Sequence, residues 1–382
     1  MNSDLLTQTI DNLYEEYISV WEDICNIESP SWYKEGVDKV GEYLSKMAEK
    51  RGWKVEVVNQ EKAGNVVCIT MNPDAGEKPV TLSGHIDTVH PVGSFGSPAV
   101  KMDEKNIYGP GVMDCKGGVV AAFYTMEALA RCEYRTRPVR LLLQTDEECN
   151  SKLSNKATIN YICEKAKDSI AFLNCESSRR GTLVLERKGI IRYHFNITGK
   201  EIHASRCADG ANAIAEAAYK IAELEKFKDS DGLTCNCGTI SGGTAENTVA
   251  KSCTFSVDIR FSTEAELEFI KKKAKEIAEN NVIPGCSCIL EQTGFRPAME
   301  LAERNIDLFN KMNRIYAEND LPILEMRKSL GGSDAADVTV YGIPCIDSIG
   351  VEGDFIHTTE EYAQLESLRE SVKRIAFAVC YI

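Results

Sequence analysis

Histidine is scarce in this chain, at His85, His90, His194, His203 and His357, and carboxylates gather near two of them in a pattern suited to metal chemistry. Strand-like apolar segments run straight into polar ends. VTLSGHID ends in His85 and Asp87, YGPGVMDCKGG carries Asp114, RLLLQTDEE ends in Glu147 and Glu148, and IAFLNCES ends in Glu176; DFIHTTEEY adds His357. These nitrogen and oxygen donors make up a ligand set for two divalent cations, which points to a metallohydrolase. The paired Glu147 and Glu148 allow a division of labour, one binding metal while the other takes a proton from the attacking water.

Taken singly, each motif also has a plain structural reading. H-x-D is a polar turn at a strand end, although its i, i+2 spacing also lets Asp87 hold the second ring nitrogen of His85. Asp114 follows Gly-Pro-Gly and precedes Lys116-Gly117-Gly118, so it reads as a helix N-cap as well as a rigid carboxylate. Asp146, Glu147 and Glu148 alone read as a solvated acidic loop, and Glu176 carries the same ambiguity. His194 sits in an alternating strand and reads as packed or surface; His90, beside Pro91, reads as a loop residue. His203 and His357 lie in polar, glycine-flanked contexts where an imidazole can act.

The elements that must position these groups are legible from periodicity. Residues 5–26 and 35–51 carry helical spacing, the first with Ser3 and Asp4 as cap candidates. WKVEVV, NVVCIT and PVTLSG read as strands, GGVVAAFYTMEALARC as a buried helix, VRLLLQT as a strand, residues 154–166 as a helix and SIAFLNC as a strand. This alternation predicts an α/β catalytic domain, a mixed sheet covered by helices on both faces, with ligands held beyond the strands' carboxyl ends. Near residue 186 the pattern changes. IIRYHFNITG, TCNCGTISGG, SCTFSVDIRF and CSCILEQTGF alternate with ANAIAEAAYKIAELEKF and AELEFIKKKAKEIAEN, an inserted α+β domain of four strands and two helices. The expected division is residues 1–185 and 295–382 for the catalytic domain and 186–294 for the insertion, with PILEMRKSL and CIDSIG returning to the first sheet. A chain of 382 residues exceeds the roughly 250–300 at which single cores stop growing, which suits two domains.

A net charge of −14 argues against a nucleic-acid or anionic-membrane partner, both of which need clustered Lys and Arg. No segment approaches the ~20 apolar residues of a membrane span. The N-terminal sequence reads as an acidic amphipathic helix rather than a signal peptide, and fifteen cysteines, an odd count, read as reduced thiols; the expectation is a cytoplasmic protein.

In order, H-x-D, G-P-G-x-x-D-x-K-G-G, D-E-E, a post-strand Glu, G-x-E-x-H-A, N-x-V, D-x-R and a late H-T closely resemble the di-zinc metallopeptidase and deacylase family of carboxypeptidase G, acetylornithine deacetylase and succinyl-diaminopimelate desuccinylase. The resemblance implies two Zn2+ per subunit, with Co2+ and Mn2+ open as native ions. Asp114 would bridge the two, His85 and Glu176 completing one site and Glu148 and His357 the other. Glu147 would be the general base, with Asp87 in the catalytic set. The insertion would be a lid and homodimer interface, its His203 stabilising the oxyanion in the partner subunit's site. Asn247, Arg260 and Arg296 would hold the substrate, approached by the loop Gly331-Gly332-Ser333. Cys115 departs from the family pattern.

The implied reaction is hydrolysis of an amide in a small peptide or N-acyl amino acid with a free C-terminal carboxylate. An acetylornithine-type deacylase, a di- or tripeptide aminopeptidase, and a catalytically silent binding protein of the same fold are the alternatives. A thiol-redox or zinc-storage protein, with Cys235/Cys237 and Cys286/Cys288 as paired thiols, stands further off.

Overall fold

Every residue of Val80–His85 is buried, as an apolar run flanked by strands on both sides requires. The computed structural model describes residues 1–228 and 232–382. They divide into two compact units, Met1–Leu185 with Leu301–Lys328 and Ser333–Ile382, and Glu186–Glu300 with Ser329–Gly332.

In the first unit six strands lie in the order Lys54–Val58, Val66–Met71, Val139–Gln144, Val80–His85, Ala171–Asn174 and Cys345–Ile346. The first three are antiparallel neighbours and the last four parallel, so the sheet is mixed. Register explains the site: His85 lies opposite Gln144, and Ser83 opposite Asn174. Three adjacent strands therefore end together, delivering His85, the 145–148 turn and Glu176 to one edge. Lys116–Arg131 packs on one face of the sheet, and Ala157–Ala166 and Asp334–Val340 on the other.

Lys116–Arg131 is buried from Lys116 through Leu129, apolar nearly all round, and sandwiched by Ser3–Asn26 and Leu365–Tyr381. Its two leading glycines are steric necessities. A Cβ on Gly117 would strike the Val112 carbonyl, and one on Gly118 would overlap the Cys175 carbonyl, the residue before Glu176. Gly118→Ala should destabilise the fold by about 3 kcal/mol, because the obstacle is backbone that cannot step aside; a urea midpoint within error of wild type would contradict this.

Two expectations need correction. The first helix is capped by Asn2, whose side chain accepts from Asp4 and Leu5 N–H, rather than by Ser3 or Asp4, which lie inside the first turn. PILEMRKSL does not join the main sheet: Glu325–Ser329 pairs with Thr182–Arg187 in a two-stranded sheet, while Cys345–Ile346 does return. A further small sheet, unanticipated because its strands are two or three residues long, orders Gly353–Asp354, Tyr362–Gln364, Asn106–Tyr108 and Lys101–Met102.

The second unit is an antiparallel sheet ordered Thr234–Gly242, Ser252–Phe261, Gly189–Thr198 and Ser287–Arg296, with the helices Ala213–Leu224 and Glu264–Glu279. Ile191, Tyr193, Phe195 and Ile197 alternate into its core with Phe255, Val257 and Ile259. A boundary at 294 would cut Ser287–Arg296, which pairs with Gly189–Thr198 as far as Arg296 opposite Ile190; the unit continues to Glu300. Cys235/Cys237 and Cys286/Cys288 belong to opposite edges of this sheet, three strand spacings or about 14 Å apart, too far for a shared thiolate site.

Candidate metal centre

His85 is buried at the end of its strand, with Nδ1 3.0 Å from the Asp87 carbonyl oxygen. Donation there directs the Nε2 lone pair toward Asp114 Oδ1 at 3.1 Å and Glu176 Oε1 at 3.5 Å. The other oxygen of Asp114, Oδ2, lies 3.2 Å from His357 Nε2, which is itself 3.2 Å from Glu148 Oε2. Asp114 thus offers one oxygen to each imidazole. Ligand atoms of His85, Asp114 and Glu148 fall within 4.8 Å of one another, as do those of His85, Cys115 and Glu176.

The helix cap that Asp114 could have been is taken by Cys115, without a side-chain bond, which leaves the Asp114 carboxylate for the imidazoles. The Asp114–Cys115 peptide is cis. The Cys115 Sγ accepts the His85 backbone N–H at 3.2 Å, and burial pushes its thiol up to about 12, so it is a neutral neighbour of the centre.

Hydrogen bonds to Asp114 and Glu148 push His357 up to about 10. Burial, then the charge of Asp114, pushes Glu148 up to about 8 and holds Glu176 well above the carboxylate range. Burial opposes ionisation of Asp114, yet hydrogen bonds from His357 and His85 hold its carboxyl below the usual range. Three carboxylates crowded against two imidazoles need compensating positive charge, which divalent ions would supply. The donor set, two nitrogens and three carboxylates, fits such ions.

Asp87 is fully buried and holds the neighbouring turn. Its Oδ1 accepts Glu147 N–H at 3.2 Å, and its Oδ2 accepts Glu148 N–H at 3.2 Å and the Ser31 hydroxyl at 2.6 Å. Asp146 braces the other side, accepting from Thr158 Oγ1 at 2.6 Å and Ser154 N–H at 2.9 Å, so it is not a solvated acid. Ser31→Ala should lower stability by about 1 kcal/mol by removing one donor from a buried carboxylate; an unchanged denaturation midpoint would count against that bond.

Several supporting residues escaped the sequence reading. Lys116 is fully buried and donates to the carbonyls of Ile24 (3.1 Å) and Ile27 (2.8 Å), and Trp21 Nε1 donates to Val112 O at 3.0 Å. Both tie the end of the first helix to the Asp114 loop. His90, read as a loop residue, is buried and bonded to Glu361. The signal for Glu361 was its place four residues after His357; nothing local marks Ser31.

His203, Asn247, Arg260, Arg296, Gly331 and Gly332 belong to the second unit. His203 is exposed, its Nδ1 accepts Ser205 N–H at 3.2 Å, and Nε2 is therefore the N–H donor. Asn247 is exposed beside it, its carbonyl accepting Ala204 N–H at 2.9 Å. Arg260 and Arg192 share one carboxylate, Asp258, at 2.6 and 2.7 Å. Arg296 is buried, and a Cβ on Gly332 would press on its Cδ, which is why glycine stands there. Arg187 Nη1 donates to Gly331 O at 3.2 Å. Ser333 is the exception: it is buried, its hydroxyl donates to Asp347 at 2.6 Å and caps Ala335, so it braces the fold instead of meeting a substrate.

Among the described residues no helix is long and apolar enough to cross a membrane. Residues 185–286 match the family model described as a Peptidase dimerisation domain, and residues 65–226 match Peptidase family M28. The chain is 28% identical to carboxypeptidase G2 of a Pseudomonas species over 92% of its own length and 85% of the relative's. It is 27% identical to succinyl-diaminopimelate desuccinylase of Wolinella succinogenes, over 77% and 81% respectively. In fold it resembles aminopeptidase PepT of Bacillus cereus (TM-score 0.79, 19% identity, 96% and 98% covered). A metallo-carboxypeptidase of Sulfolobus solfataricus is similar too (TM-score 0.72, 17% identity, 96% and 99% covered). In its sequence relatives and in this arrangement of donors, the chain is similar to the metal-dependent peptidases and deacylases named carboxypeptidase G2, acetylornithine deacetylase and succinyl-diaminopimelate desuccinylase.

Proposed function

We propose that the chain is a carboxypeptidase-like hydrolase cleaving an amide bond of a peptide or N-acyl amino acid that carries a free C-terminal carboxylate. The observation that carries this reading is Asp114, with one oxygen toward His85 and the other toward His357, and with Glu176 and Glu148 beyond them. These five residues would hold two divalent ions, Zn2+ or the similarly bound Co2+ or Mn2+. When bound, the ions polarise the scissile carbonyl and bring the pKa of water toward about 7. Glu147, its backbone held by Asp87, takes the proton from the attacking water and returns it to the leaving amine. His203, with an outward Nε2–H, is a donor of the kind that stabilises a developing oxyanion.

The preference for a terminal carboxylate is supported by arginine. Arg192 and Arg260 face a single Asp258, leaving net positive charge and guanidinium edges suited to bidentate carboxylate binding. Arg260→Ala should raise KM for substrates with a free C-terminus by roughly 10–100-fold, the worth of hydrogen bonds to a charged group, and leave C-terminally amidated analogues unaffected. Equal effects on both would remove Arg260 from substrate recognition.

The same reading makes the enzyme a homodimer through the second unit, supported by the dimerisation-domain match and by the edge strand Ser287–Arg296, where Ile289 is 71% exposed. The fifteen cysteines, with no disulfide among the described residues, suit a reducing, cytoplasmic setting. A panel of N-acyl amino acids and dipeptides, assayed for released amine with metal-loaded and chelator-treated enzyme, tests the proposal. Chelator-sensitive cleavage confined to substrates with a free C-terminal carboxylate is expected. A requirement for a free N-terminus would replace the reading with an aminopeptidase, and metal binding without turnover would leave a silent binder.

A further inference from the structure

We infer that Glu361 is a positioning residue that holds the two halves of the metal centre in register and controls the ion bound by Glu148 and His357. The inference rests on the two-ion reading above.

Glu361 is 1% exposed and its carboxylate meets four donors. Oε1 accepts Met113 N–H at 2.9 Å and Asp114 N–H at 3.0 Å; Oε2 accepts Gly111 N–H at 3.3 Å and His90 Nε2–H at 2.9 Å. Three of the four come from the loop that delivers Asp114, including the amide of Asp114 itself. A buried group surrounded only by donors must be an acceptor on both oxygens, which a carboxylate satisfies and an amide cannot. The backbone repeats the connection: Glu361 O accepts Gly109 N–H at 3.2 Å, and Tyr362 pairs with Tyr108 in the small antiparallel sheet. The chain entering the Asp114 loop and the chain leaving His357 are thus one strand pair, locked by one buried carboxylate.

The two imidazoles differ in how much they need this lock. His85 is buried at the end of a central strand, and its second nitrogen is held by the Asp87 carbonyl. His357 is half exposed, its backbone lies in the left-handed region at φ +64°, and among the described residues its ring bonds to Asp114 and Glu148 alone. Both bonds lie on the metal side of the ring, so its aim depends on where the 355–362 segment sits. Glu361 sets that position relative to Asp114. Loosening it should disturb the Glu148–His357 side first and leave the His85–Glu176 side in place.

The test is titration of metal-stripped wild type, Glu361→Gln and His90→Leu with Zn2+ by calorimetry, alongside thermal unfolding of each metal-free protein. Glutamine turns an NH2 group toward donors, whereas leucine at 90 removes one donor of four and leaves the loop amides bonded, so the second variant decides if the first does not fold. Wild type should bind two ions. Glu361→Gln should keep the tighter one and weaken the other by roughly 10–100-fold, the range for loss of a group behind metal ligands, and His90→Leu should weaken the same ion by less. Equal weakening of both ions, or unchanged affinities with only a lower unfolding temperature, would make Glu361 a general brace and overturn the inference. Fewer than two ions in wild type would instead overturn the two-ion reading, and the inference with it.

Discussion

Replacing Asp114 with alanine should strip the enzyme of metal and turnover together. Asp114 reaches both His85 and His357 directly, at 3.1 and 3.2 Å from opposite oxygens. Without it each half keeps one imidazole and one glutamate, two protein ligands where a catalytic zinc ordinarily has three. The loss is also electrostatic, because Glu148 and Glu176 would remain buried without the shared anion that draws cations between them. The expected result is less than one ion per chain by elemental analysis after gel filtration, with activity at the level of chelator-treated wild type. Asp114→Ala that retained two ions would show that Asp114 is not the shared ligand.

Glu147→Gln should separate chemistry from metal binding. The substitution preserves shape and leaves the Glu147 N–H on Asp87 Oδ1, so the turn that presents Glu148 keeps its geometry. It removes the group that accepts a proton from water. General acid–base catalysis is typically worth 10²–10⁴-fold, so kcat should fall by about that factor, which is about 3–5 kcal/mol in barrier height. Metal content should stay at the wild-type value and KM should change little, since substrate contacts are untouched. Near-normal kcat would mean that another group takes the proton; lost metal would mean that Glu147 is itself a ligand. With Asp114→Ala, this pair distinguishes a residue that holds the ions from one that works beside them.

Much of the centre was legible locally because each donor stands where an apolar strand stops. Val80–His85, Val139–Gln144 and Ala171–Asn174 are buried throughout or nearly so, and their alternation with helices already implies a sheet covered on both sides. Polar residues at the ends of such strands emerge into a crevice, and that is a property of a few consecutive residues. The glycines of K-G-G were legible as a motif, but their reason was not: the Val112 and Cys175 carbonyls they avoid arrive from elsewhere. Lys116 defeated local reading for a similar cause, since a cation at the head of an apolar helix looks exposed until the carbonyls of Ile24 and Ile27 cover it. Ser333 misled in the opposite direction, because a serine after two glycines looks free until Asp347 is found against it.

The sequence by itself determined the kinds of donors, their placement at strand ends, the change of pattern near residue 186 and the family they resemble. Tertiary structure alone decided which oxygen of Asp114 meets which imidazole, that Cys115 and not Asp114 caps the helix, and that Glu361 binds the Asp114 loop. The contacts of Asp114 join positions about 30 to 250 residues apart, as with His85 and with Glu361. Their energy lies in closing long loops and burying hydrogen-bonded charge, terms that local propensity and periodicity do not contain.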